Sequence, residues 1–244
     1  MSSRFLAIAV AIAGIALTGC GSDDNGIAGA APNDALSRTS DALNSVSSYH
    51  LHFVSGRRAD AAVIDIDVSL PGKARGKATF GGRTTTDLVY LDHTLYFHGG
   101  TFLAQVLAPA ALTKLGDRWL KSPKRDTGKQ GFAFLTDASA IGHCLTGSHG
   151  PLVNGGRTTV DGQPASVVAD RGNQQGDAPL RVSIASRGDA FPLLIEQLGP
   201  RAGAPPGDQS PCFPGDGSSL HFSAFGAPVD VSLPAKVADV NALR

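Results

Sequence analysis

Cys20 is the residue whose surroundings point to the most specific chemistry. It ends the stretch Leu17, Thr18, Gly19 and Cys20, which fits the L-[AST]-[GA]-C lipobox, where a thiol accepts a diacylglyceryl group and becomes the mature N-terminus. A basic residue and about a dozen mostly apolar residues precede it, as in a secretory signal. That run is too short to span a membrane. We expect residues 1–19 to be a lipoprotein signal peptide and Cys20 to be the lipid anchor; the alternative is a plain signal with a chance cysteine.

Two cysteines, Cys144 and Cys212, remain once Cys20 carries lipid. In an exported chain an even remainder of two favours a disulfide over two free thiols. On a chain-entropy treatment, a bridge closing a loop of this length stabilises the fold by about 4 kcal/mol. No CxxC or Cys/His spacing indicates zinc. The sequence therefore predicts a disulfide between Cys144 and Cys212.

Histidines and aspartates alternate with apolar residues at two places. His50 and His52 share one face of a predicted strand, and Asp65 and Asp67 share one face of the next. A metal site or a pair of catalytic carboxylates is one interpretation, but this alternation is typical of the solvated face of a half-buried strand. No G-x-S-x-G, Walker, H-E-x-x-H or G-x-G-x-x-G motif occurs, so we expect no enzyme, no metal and no cofactor. Trp119 fits a ligand-binding mouth or, preferably, a core anchor.

Charge balance and composition describe one exported domain. The 244 residues include 21 Lys+Arg and 21 Asp+Glu. Removal of residues 1–19 takes away only one charged residue, Arg4. Because neither positive nor negative charge is in excess, nucleic acid is disfavoured as a partner. Residues 20–33 are small and polar and predict a lipidated flexible tether. Residues 34–244 have the length of a single domain.

Hydrophobic periodicity predicts strands, then helices, then strands. Residues 34–48 have helical spacing, with Asp34 as the N-cap, and strands alternate from Tyr49 onward. Two helical stretches follow, one broken or kinked near Pro109 and one over residues 132–145. Strand patterns resume on both sides of a turn at Asp161. This order predicts an α+β domain with helices on one face of an antiparallel sheet.

The order of these pieces resembles that of the actinobacterial, mycobacterial-type LppX and LprAFG-like lipoproteins, which share a LolA-like fold. The resemblance runs from about Ala35 to Val240 and lies in the segments YFHG, DRWLKSP, VDGQPA, FPLLIE and FSAFGAPVDVSLP. It implies a strongly curved antiparallel sheet, a half-barrel, packed over a few α-helices around an apolar cavity. The candidate lining residues are Ile64, Ile66, Val68, Leu88, Val182 and Ile184 on the sheet, and Phe102, Val106, Phe134 and Ile141 on the helices.

The function implied by the resemblance is lipid carriage. The protein is expected at the outer face of the cell membrane, where it would bind an acylated lipid or glycolipid and carry it toward the outer envelope with an envelope transporter as partner. Each buried methylene of an acyl chain contributes about 0.8 kcal/mol. The alternative is a non-catalytic envelope lipoprotein with a closed core, acting as an assembly, structural or signalling partner. Both need the same apolar faces.

Overall fold

The computed structural model describes residues 24–55, 61–122, 131–147, 150–172, 178–200, 202–203 and 217–243. In these ranges the helices are α1 (Pro32–Ser45), α2 (Gly100–Val106), α3 (Pro109–Leu115), α4 (Phe132–Leu135) and α5 (Ala138–Thr146). The strands are β1 (Ser48–Ser55), β2 (Ala62–Ser69), β3 (Lys73–Phe80), β4 (Thr84–Leu91), β5 (Thr94–His98), β6 (Trp119–Lys121), β7 (Leu152–Val160), β8 (Gln163–Asp170), β9 (Leu180–Ala185), β10 (Pro192–Gln197), β11 (Ser219–Ser223) and β12 (Val237–Asp239). Short 3₁₀ helices cover Ile27–Gly29 and Val240–Leu243. The predicted signal peptide, Cys20 and Cys212 lie outside the described residues.

The strands form one curved, unclosed sheet in the order β12-β6-β5-β4-β3-β2-β1-β11-β10-β9-β8-β7. The α+β prediction with a curved sheet and few helices is therefore confirmed. The prediction of a wholly antiparallel sheet is wrong at one edge, where β12 runs parallel to β6. The physical reason is the long segment that crosses from β11 to that edge, because a parallel neighbour requires a crossover instead of a hairpin.

Alternation along the strands separates an inner face from an outer face. On β1, Tyr49, Leu51 and Phe53 are almost completely buried, and they lie opposite Val68, Ile66 and Ile64 of β2. This inner face packs against α1, α4 and α5 in one apolar cluster. The intervening polar residues of both strands lie on the outer face. The observed burial thus confirms the strands predicted from the period of two, and the helices cover the apolar side of those strands.

Helix α1 starts earlier than the sequence predicted. Pro32 occupies its first turn, Ala31 is at the N-cap without a side-chain hydrogen bond, and Asp34 lies inside the first turn. The prediction of Asp34 as the N-cap is wrong because proline at the first helical position needs no N–H partner and presets the helical φ. Inside the first turn, the Asp34 carboxylate still interacts favourably with the helix dipole.

The predicted tether, residues 20–33, is wrong over its described part. Asp24 forms a β-bridge with Arg187, and the Asn25 side-chain amide donates to the carbonyl oxygens of Ala185, at 2.8 Å, and Gly188, at 3.1 Å. The Ile27 side chain is only 2% exposed. Composition alone missed this docking, because one asparagine and one isoleucine among small residues are enough to attach the segment beside the end of β9.

The two predicted helical regions are each divided. Pro109 separates α2 from α3, as expected, and takes the first turn of α3. The stretch predicted as one helix over residues 132–145 is instead α4 and α5. Asp137 ends the continuity, since its carboxylate accepts a hydrogen bond from the Ala140 N–H at 3.0 Å and so caps α5. The short strands β6 and β12 were not predicted.

Close packing of α1 on α5 gives a stability prediction. A Cβ at Gly142 would lie 2.5 Å from the Ser40 hydroxyl oxygen, so a side chain there would push the helices apart. We expect Gly142→Val to lower the free energy of unfolding by about 1–3 kcal/mol, measured by urea denaturation. Ser139→Val, at an exposed position of the same helix, is the matched control. Equal stability of the two variants would contradict the packing argument.

The cysteine pairing stays a prediction, with Cys144 placed on α5 at the margin of the main core. We expect peptide mapping without reductant to recover a Cys144–Cys212 linked peptide. Reduction should lower the free energy of unfolding by up to about 4 kcal/mol, because the unfolded chain regains the entropy of the open loop. The double variant Cys144→Ser and Cys212→Ser should not respond to reductant. Alkylation of both thiols in the folded, unreduced protein would show the pairing to be wrong.

Candidate functional site

The predicted cavity residues of the sheet lie together on the inner face. The six are Ile64, Ile66, Val68, Leu88, Val182 and Ile184, and none is more than 7% exposed. Phe134 and Ile141 of α4 and α5 belong to the same buried cluster. The sheet wall and the helix wall predicted from the sequence therefore meet in one continuous apolar layer.

Two predicted cavity residues lie elsewhere. Phe102 is half-buried between the rings of Phe80 and Phe97, at centroid distances of 5.1 and 5.4 Å, and packs on a second cluster around Leu103. Val106 is 54% exposed and does not line the interior. The physical reason is that Leu103 and the C-cap residue Leu107 pack into the second cluster, and Val106, in the last turn of α2, lies beside that buried side.

Strand β3 contributes the smallest side chains of the inner face, and we name its row of Ala74, Gly76 and Ala78 the recess. Ala74 and Ala78 are fully buried there and Gly76 lies between them, whereas the neighbouring strands carry large side chains. Tyr90, for example, lies opposite Ala74. A Cβ at Gly76 would lie 2.0 Å from the Asp65 carbonyl oxygen, so only glycine fits this backbone. The inner face thus has its smallest side chains along the middle of β3.

A buried hydrogen bond joins the sheet to the end of α4. The Tyr49 hydroxyl donates to the Leu135 carbonyl oxygen at 2.8 Å. Burial, with a smaller contribution from the negative charge of Asp137, raises the pKa of Tyr49 far above its ordinary value. The hydroxyl therefore remains a donor at alkaline pH. The Gly72 N–H donates to the Thr136 carbonyl oxygen at 3.2 Å and makes a second link.

The outer face carries cross-strand pairs of histidine and aspartate. His50 Nδ1 lies 2.9 Å from an Asp67 carboxylate oxygen, and His52 Nδ1 lies 3.0 Å from one of Asp65. These side chains are between 29% and 53% exposed, as expected for the solvated face of β1 and β2. Within the described part of the chain, no group of three or more His, Cys, Asp or Glu residues is placed to hold a metal ion.

A groove of about 410 Å³ runs along the outer face beneath residues 224–236, which we name the strap. Asp67, Arg75 and Asp87 line its floor, Asp230 lines its strap side, and Trp119 lies at its β6 side. Trp119 is half-buried and lines the groove, outside the apolar core clusters, so the favoured interpretation of this residue as a core anchor is wrong. Strand β6 is only three residues long and lies next to the sheet edge, which leaves the ring at the groove.

Comparison with solved structures identifies the architecture. LprF from Mycobacterium bovis superposes with a TM-score of 0.58 at 16% identity, covering 84% of this chain and 97% of that one. The Mycobacterium tuberculosis lipoprotein LppX superposes with a TM-score of 0.50 at 17% identity, covering 82% of this chain and 98% of LppX. This chain has the fold of LprF and LppX. The predicted resemblance is thus confirmed at the level of the LprF/LppX fold, over most of the chain.

Comparisons of sequence add no closer relation. No protein-family model matches the chain, and no curated protein matches it significantly. Among the described residues of this chain, no helix is both long enough and apolar enough to cross a membrane.

The Tyr49 contact generates a prediction about pH. Above about pH 10 the unfolded chain releases the tyrosine proton and the folded chain keeps it. The free energy of unfolding should therefore be intact below that pH and fall above it, by about 1.4 kcal/mol per pH unit from this group. Tyr49→Phe should lose about 1–2 kcal/mol at neutral pH, because the Leu135 carbonyl is left unpaired, and should show a shallower alkaline decline. Parallel pH profiles from urea denaturation would contradict this account.

Proposed function

We propose that this protein is a lipid-anchored envelope lipoprotein that binds the acyl chains of a lipid or glycolipid between the inner sheet face and α4–α5, and carries it toward the outer envelope. The observation that carries the proposal is the continuous apolar layer between those elements, to which β1, β2, β3, β4, β8, β9, β10 and β11 contribute buried residues. Its location on an LprF/LppX fold supports the same assignment. We also propose that its fold is related to that of the LolA-like carriers.

The chemistry of the layer favours an acyl chain. The side chains that meet there are aliphatic or aromatic, with Ala74 and Ala78 providing the least bulk. A chain lying along β3 would replace contacts between the sheet and the helices with contacts to methylenes, each worth about 0.8 kcal/mol when buried. Polar recognition is not required for such binding, so one site can accept acyl chains attached to different head groups.

Access to this layer would come from movement of α4 and α5. Helix α4 has four residues and α5 has nine, and two backbone-directed hydrogen bonds, from Tyr49 and Gly72, link the end of α4 to the sheet. The apolar side chains of both helices add non-directional packing against the sheet. A helix pair held in this way can separate from the sheet and reseat around a chain, since methylenes replace the lost contacts.

A closed core is the second candidate function, and burial is the observation that favours it. Ile141, Ile184 and Val68 are completely buried, as in a well-packed interior. A protein of this kind would act through its surface as an assembly, structural or signalling partner in the envelope. The two candidates differ in whether lipid enters the layer.

The deciding experiment uses residues 24–244, produced in an oxidising compartment, with native mass spectrometry followed by organic extraction. Lipid carriage predicts a discrete added mass that releases an acylated lipid. A mass equal to that of the chain alone, with no uptake from vesicles of envelope lipid or of an apolar dye, would overturn lipid binding and leave the closed core.

Filling the recess tests where the chain binds. We expect Ala78→Leu to lower the fraction of protein that carries lipid, because the added side chain occupies the space along β3. The matched control is Ala104→Leu, at an exposed position of α2, which should bind like the original protein. Overpacking can cost about 1–3 kcal/mol, so thermal unfolding is measured alongside, and Ala74→Val offers a smaller change. Unchanged lipid occupancy in folded recess variants would show that the chain binds elsewhere.

A further inference from the structure

The strap is fixed at both ends and passes over the outer face between them. At its start, the Phe225 ring stacks on Phe191 at 4.0 Å, and the Gly226 N–H donates to the Ser48 carbonyl oxygen at 2.9 Å. At its end, the backbone N–H of Trp119 donates to the Lys236 carbonyl oxygen at 2.7 Å, and the Lys236 ammonium lies 2.7 Å from an Asp117 carboxylate oxygen. That ammonium also holds the pKa of Asp117 below its ordinary value. The strap is therefore held at both ends and forms the second wall of the groove.

The strap presents alternate residues to the groove. Asp230, Ser232 and Pro234 line it, at the spacing of an extended chain. The opposite wall is the outer face of β2, β3 and β4. A volume of about 410 Å³ lies within the range of small-molecule sites. The groove is thus an open concave surface between two walls, on the face of the sheet opposite the proposed lipid layer.

Trp119 supplies an aromatic surface at the end of the groove. One face of its indole is stacked on the His98 ring, at a centroid distance of 5.0 Å and an interplanar angle of 26°. The opposite face and the ring edge are the parts left to line the groove. A partly exposed indole held flat by a neighbouring ring is a suitable platform for the apolar C–H face of a sugar ring.

The polar groups along the groove fit hydroxyls better than ions. Asp67 lies close to His50, at 2.9 Å, and to Arg75, at 4.0 Å, and Asp87 lies 3.9 Å from a nitrogen of His98. Because two of the carboxylates already have basic neighbours, their attraction for a further cation is reduced. The three carboxylates together repel phosphate or sulfate. Sugar hydroxyls both donate and accept, so they can pair with the carboxylates, the Arg75 guanidinium and the Ser232 hydroxyl.

We propose that the strap groove is a saccharide-binding site, in which a neutral sugar stacks on Trp119 and its hydroxyls bind Asp87, Arg75 and the strap. The proposal is independent of lipid binding, because it rests on the other face of the sheet. It gives the protein two separate surfaces, one for acyl chains and one for glycan.

The single tryptophan makes the test direct, since Trp119 is the chain's only indole and its fluorescence reports on the groove. The intact domain is titrated with soluble di- to hexasaccharides of glucose, mannose, galactose and arabinose, with spermidine and inorganic phosphate as comparison ligands. We expect a saturable change with at least one oligosaccharide at millimolar concentration, and none with phosphate. No response to any sugar up to 10 mM, or saturable binding of spermidine alone, would overturn the proposal.

Variants read by isothermal titration calorimetry locate the site. Trp119→Ala should weaken sugar binding at least tenfold, Trp119→Phe should weaken it less, and Asp87→Asn should weaken it several-fold. Asp161→Asn is the matched control, because its carboxylate pairs with His221 at 3.0 Å on the outer face and does not line the groove. Thermal unfolding confirms that each variant is folded. Sugar binding that survives in a folded Trp119→Ala variant would show that the groove is not the site.

Discussion

Burial of one apolar face of a long sheet is the constraint on which the rest of this structure depends. Every second residue of β1 and β2 is apolar from Tyr49 to Phe53 and from Ile64 to Val68, so hydrophobic burial requires that one side of these strands be covered. The covering helices are short, and α1 and α5 pack closely only because Gly142 leaves room for Ser40. Curvature of the sheet then brings strands that are far apart in the sequence to the same helices.

The same alternation assigns different chemistry to the two faces. Inward residues form an uncharged layer, whereas outward residues form ladders of histidine, aspartate, lysine and arginine. A charge on the inner face would be very costly without a partner, and an acyl chain on the outer face would compete with well-hydrated groups. One sheet can therefore offer two surfaces of opposite character separated by the thickness of a strand. The strap adds depth to the outer surface, which a sheet alone would leave shallow.

Much of the fold follows from local pattern, and much of the candidate site does not. Strands such as β1 and β2 were predictable because their period of two extends over eight residues, and eight of the ten interior candidates lie in the buried layer. Val106 was misplaced because a seven-residue helix gives too few turns to define its buried side. Strands β6 and β12 have three residues each and carry no period. The groove depends on how the strap crosses the sheet, a long-range arrangement that spacing along the chain does not encode.

The docked segment before α1 sets the working distance of the protein. Asp24 is attached to the sheet through Arg187, and only four peptide steps separate it from Cys20. A fully extended chain covers at most about 3.5 Å per residue, so a lipid on Cys20 would confine the domain to within about 14 Å of the bilayer surface. Such a protein cannot cross an envelope compartment on its own anchor. In the proposed function, carriage toward the outer envelope would then mean taking up the lipid at the membrane and passing it to a second component that travels.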